Sequence, residues 1–128
     1  MYIYCNPNPL GKRTGDCVVR AIAIATNRSW REAYREICKQ GEIDCDMPSA
    51  NRVWGKFLER EGFRQFLIPE DCPACVTVRA FCEMYPDGVY VIGTGNHAIA
   101  CISGDYYDAF DSGDEEPSYF YARRDDRD

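Results

Sequence analysis

The sequence predicts an α+β fold in which N-terminal helices pack on a C-terminal antiparallel sheet. Two observations predict it. Apolar residues recur at helical spacing in the first two-thirds: along Cys17–Ala25, at Trp30, Ala33, Tyr34, Ile37 and Cys38, at Val53, Trp54, Phe57 and Leu58, and at Val78, Phe81, Cys82 and Tyr85. The last third changes to short runs bounded by turn residues, at Val89–Ile92, His97–Ile102, Tyr106–Phe110 and Tyr119–Ala122. Helices followed by strands are the order of an α+β chain.

Each element has a local reason. Met1–Cys5 is a short aromatic run that reads as a strand, and the Pro- and Gly-rich stretch from Asn6 to Gly15 must be loop. Asp16 is a good N-cap before the Cys17–Ala25 run, so Cys17 opens a helix that is apolar nearly all round and therefore central. Ser29-Trp30-Arg31-Glu32 is a capping box that opens a second helix, which Gly41 ends. Ser49 is placed to cap a third helix, stopped by Gly62, and Phe63–Ile68 reads as a strand. Thr77 caps a short fourth helix. Ser103-Gly104 is a tight-turn signal between two strands.

The chain of 128 residues suits one domain, assigned to residues 1–122 with a charged, frayed tail at 123–128. Its net charge of −6 argues against a nucleic-acid binder or an anionic-membrane binder, both of which need a basic face. Its apolar stretches are about five residues long, whereas a membrane span needs about 20. The opening residues lack a basic segment followed by an apolar one, so no signal peptide is expected. The eight cysteines (5, 17, 38, 45, 72, 75, 82 and 101) are then expected to be reduced thiols in a cytoplasm.

Three residues could carry chemistry. Cys17 falls at a helix N-terminus, where the helix dipole and unpaired N–H groups favour thiolate over thiol. His97 is the only histidine, so any imidazole chemistry is its own. If Ser103-Gly104 is a two-residue turn, Ile102 faces Asp105, Ile99 faces Asp108 and His97 faces Phe110. That register places Asp108 one diagonal step from His97, on the same face, and sends Asp111 to the other. A three-residue loop reverses the two.

Asp16-Cys17 opening an apolar helix, Asn96-His97-Ala98-Ile99-Ala100 opening a strand, and Tyr107-Asp108-Ala109-Phe110 after it resemble the papain-like cysteine peptidases. Gly15-Asp16-Cys17-Val18 is also similar to the opening of bacteriocin-processing peptidases and of small phage and bacterial proteins. The resemblance covers residues 14–25 and 95–112. It implies a papain-like fold, with Cys17 as nucleophile, His97 as base and Asp108 as orienting residue. Phe110 stands where the family has a Trp that shields the His. The implied activity is thiol hydrolysis of a peptide or isopeptide bond in a peptide or protein substrate, without cofactor or metal. Gly11 stands where papain has the Gln that donates to the oxyanion; Asn6 or Asn8 could substitute, and the N–H groups at the start of the Cys17 helix could also hold an oxyanion. Acyl transfer and deamidation use the same acyl-enzyme chemistry and stay open, as does the oligomeric state.

Two other readings compete. One is a non-catalytic papain-like or phage host-interaction module in which Cys17 is only packed. The other is a zinc-stabilised binding protein, with Cys72 and Cys75 as a CxxC pair completed by Cys38 and Cys45. Gly93-x-Gly95 leads into a strand and is too short for a dinucleotide fingerprint.

Overall fold

Side chains alternate across a strand, so a strand packed on both faces must be apolar at nearly every position. Val89–Gly93 and Ala98–Ile102 meet that demand, and both lie inside the sheet. The computed structural model describes residues 1–68 and 76–123. Its elements, in chain order, are β1 (Tyr2–Tyr4), α1 (Cys17–Ala25), α2 (Trp30–Asp44), α3 (Asn51–Arg60), β2 (Phe63–Leu67), α4 (Val78–Met84), β3 (Val89–Gly93), β4 (Ala98–Ile102), β5 (Asp105–Asp108) and β6 (Tyr119–Arg123).

The architecture is α+β. The described strands form one sheet in the order β1-β5-β4-β3-β6-β2. The sheet is mixed rather than wholly antiparallel, because β1 pairs with β5 in parallel. It is also not confined to the C-terminal part, since β1 and β2 form its two edges. One face carries Val91, Ala98, Ala100 and Tyr121, buried under α1, α2 and α3 with Ile22, Ile37, Trp54 and Phe57. The other carries Tyr90, Ile92, Ile99, Cys101 and Phe120, buried with Val78, Phe81 and Cys82 of α4. α1 lies directly on β4. No described helix is long and apolar enough to cross a membrane.

Several local expectations are corrected. Asp16 holds the N-cap position of α1, but its side chain makes no capping bond. Gly41 does not end α2, which runs on to Asp44 with Cys45 in the left-handed region at φ 52°. A Cβ on Gly41 would lie 2.8 Å from the Asp46 carbonyl oxygen, so the glycine lets the following turn fold back against the helix. Ser49 does not cap α3; Ala50 holds that position without a side-chain bond. β5 ends at Asp108, before Ala109 and Phe110. Arg123 belongs to β6 rather than to the tail, donates to the Ala25 carbonyl at 3.2 Å and lies over the Phe63 ring. The rest of the tail lies outside the described residues. The Ser29–Glu32 capping box and the Thr77 cap are present as expected.

Candidate active site

The β4–β5 hairpin decides which acid meets the histidine. Ser103 and Gly104 both have positive φ, at 51° and 83°, which is the backbone of a two-residue type I′ turn. Ile102 therefore pairs with Asp105, Cys101 with Tyr106 and Ala100 with Tyr107, as the two-residue turn requires. Asp108 then closes on His97, with Oδ2 at 2.6 Å from Nε2. Asp111 points elsewhere, accepting from the Tyr106 hydroxyl at 2.7 Å and the Gly113 amide at 3.0 Å.

Cys17 approaches the same imidazole from α1. Nε2 is taken up by Asp108, while the Cys17 and His97 side chains line one cleft, where the imidazole acts on the thiol. The Ala98 amide acts on the thiol in the same sense. Burial pushes the Cys17 thiol up, but the His97 and Ala98 hydrogen bonds and the His97 and Arg20 charges outweigh it and leave the pKa below the ordinary value. Burial likewise pushes the His97 imidazole down. Its bonds to Asp108 and Cys17 prevail and raise it to about 9. For Asp108 the bonds from His97 and Ser112 prevail over burial, so its carboxyl sits below the usual range. These directions favour thiolate over thiol at Cys17, imidazolium over imidazole at His97 and carboxylate at Asp108. Phe110 stacks on the His97 ring, with centroids 5.0 Å apart, and shields it from water.

Sequence reasoning missed two members of the site. Ser112, which is 1% exposed, donates from Oγ to Asp108 Oδ2 at 2.7 Å. Arg20 is buried and bridges two acids. It donates from Nη1 to Asp16 Oδ1 and from Nη2 to Asp108 Oδ1 at 3.3 Å. The signal for Arg20 was present, because it is the only charged residue in the Cys17–Ala25 run, and a buried helix does not hold a cation without a partner. Asp16 fails to cap because its carboxylate is committed to Arg20, to Trp30 Nε1 at 2.9 Å and to Asn8 Nδ2 at 3.3 Å.

Neither asparagine is available as the oxyanion donor. Asn8 is buried, with its amide on Asp16 and its oxygen on the Leu10 and Lys12 amides. Asn6 donates to the Lys12 carbonyl. Neither lines the cleft that opens over Cys17 and His97. That cleft has a volume of about 590 Å³, and its walls include Trp30, Tyr34, Trp54 and Tyr119.

The six described cysteines are free thiols. Cys38 is half-buried and Cys45 exposed, while Cys72 and Cys75, the CxxC pair, lie outside the described residues. Among the described residues no three His, Cys, Asp or Glu side chains converge as a metal site would require. No protein-family model matches this chain, and neither does any curated protein or solved structure.

Proposed function

We propose that this chain is a papain-like thiol hydrolase, a cysteine peptidase-like enzyme that cleaves a peptide or isopeptide bond in a reducing compartment such as the cytoplasm. The observation that carries the reading is the convergence of Cys17 and His97 in one open cleft, with the His97 ring bonded at 2.6 Å to the buried Asp108. Structural cysteines do not need an imidazole aligned by a buried carboxylate, whereas nucleophilic ones do.

In the proposed mechanism the Cys17 thiolate attacks the carbonyl carbon, and the His97 imidazolium protonates the leaving nitrogen. The neutral imidazole then takes a proton from the water that hydrolyses the thioester. Asp108 fixes the ring so that the other ring nitrogen exchanges the proton. Ser112 and the Ala109 amide, 2.8 Å from Asp108 Oδ1, hold that carboxylate in place.

The test is selective alkylation. With iodoacetamide at about pH 6, Cys17 is expected to react fastest of the eight cysteines, well ahead of the exposed Cys45. His97→Ala is expected to slow it by tenfold or more, roughly the contribution of a general base. Cys17 and Cys45 reacting alike, with no effect of His97→Ala, rejects the reading.

A further inference from the structure

A thiol that attacks a carbonyl leaves negative charge on the carbonyl oxygen, and the two asparagines that could have met it are committed elsewhere. We propose that the Tyr119 hydroxyl is the oxyanion donor, reaching across Gly93 to the side of Cys17. This deepens the thiol acyl-transfer reading above and rests on it.

The placement follows from one row of the sheet. Tyr119 on β6 pairs with Gly93 on β3, and Gly93 pairs with Ala98 on β4. Tyr119, like Tyr121, packs against the core on the α1 side of the sheet. A Cβ built on Gly93 would lie 2.1 Å from Tyr119 Cζ and 2.5 Å from its hydroxyl oxygen. The tip of the ring therefore fills the space that any other residue at 93 would occupy, and it has crossed from its own strand to the next. Neighbouring strands are about 4.8 Å apart. The hydroxyl thus stands about one strand spacing from Ala98, which lines the same cleft as Cys17 and His97.

Three further facts fit a donor. Tyr119 lines the same cleft as Cys17 and His97. Among the described residues its ring-to-ring contacts are with Trp54 and Tyr121, and no hydrogen bond occupies its hydroxyl. Burial, and then the charge of Cys17, hold its pKa above the ordinary value, so the phenol keeps its proton. Glycine weakens a strand interior, and the close passage of this ring gives position 93 its reason.

Two thiol reactions separate this role from every other. Alkylation by iodoacetamide displaces iodide and creates no oxyanion. Acylation by p-nitrophenyl acetate does create one. The thiolate adds to the carbonyl carbon, the π pair moves onto oxygen, and Tyr119 O–H donates to it. The pair then returns as the bond to p-nitrophenolate breaks, leaving a thioester on Cys17.

Tyr119→Phe keeps the ring and removes only the hydroxyl. It is expected to slow acylation of Cys17 by about 10²-fold, the usual loss for one such donor, with alkylation unchanged. Gly93→Ala, which pushes the ring aside without removing the hydroxyl, is expected to give the same selective loss, with circular dichroism reporting its fold. Acylation unaffected by Tyr119→Phe, or acylation and alkylation falling together, overturns the proposal. A wild-type Cys17 that is neither alkylated nor acylated faster than Cys45 rejects the thiol reading itself, a distinct result seen before any variant is made.

Discussion

Arg20 is the residue on which the charge balance of the site turns. Asp16, Asp108 and the Cys17 thiol form a partly buried cluster with the His97 imidazole and the Arg20 guanidinium. Arg20 is 7% exposed and lies between both acids. Its Nε has no partner among the described residues, so the guanidinium accepts a desolvation cost in order to serve both carboxylates. Arg20→Met keeps the bulk and removes the cation, leaving buried carboxylates short of a partner. The expected loss is about 3–5 kcal/mol in urea denaturation. In the same variant the low-pH alkylation of Cys17 is expected to move to higher pH, because the Arg20 charge is one of the influences that lower the thiol. A stability loss with an unmoved alkylation profile would confine Arg20 to a structural role.

At the scale of elements, turns and caps that act through neighbouring residues were legible, and those settled by distant partners were not. The Ser103-Gly104 turn dictated the register of β4 and β5, and the register dictated that Asp108 rather than Asp111 meets His97. The Ser29 box lies wholly within four consecutive residues. Asp16 has the same credentials as a cap, yet Trp30, 14 positions away, and Arg20 draw off its carboxylate. Gly41 reads as a helix stop because the close approach of Asp46 cannot be seen from spacing. That contact reverses an ordinary rule. A Gly→Ala change inside a helix normally stabilises by about 0.5–1 kcal/mol. Here the new methyl meets backbone that cannot rotate away, so Gly41→Ala is expected to destabilise by about 1–3 kcal/mol. A rise in melting temperature would mean that the turn after α2 relaxes freely.

For the whole molecule, strand order was beyond the sequence. The pattern shows which residues alternate but not which strands adjoin, and nothing local announces that β1 joins the edge in parallel or that β2 reaches β6. The site nevertheless affects the global stability in a readable way. His97 is raised on folding from 6.5 to about 9, so its contribution is fully present below pH 6.5 and is lost as pH rises through about 9. Cys17 is lowered from 9.0, so its contribution is present above pH 9.0 and is lost as pH falls through its folded value. Between the folded Cys17 value and pH 9.0 the two slopes oppose each other. The wild type is therefore expected to lose less stability than Cys17→Ser, which keeps only the histidine half, as pH rises from 6.5 to about 9. Urea midpoints measured at intervals across the window check this. Parallel pH curves for the two proteins would show that no ion pair is present.

The bridge from Arg20 to Asp108 spans 88 residues of chain. Closing a loop that long brings no reward until the intervening helices and strands have found their places, so contacts of this kind form late in folding. On a ribosome the sulfur would emerge 80 residues ahead of its histidine. Until then Cys17 is an ordinary cysteine among several, with neither base nor dry surroundings. The surroundings that lower the thiol are thus a property of the folded molecule alone, and a nascent chain does not have them.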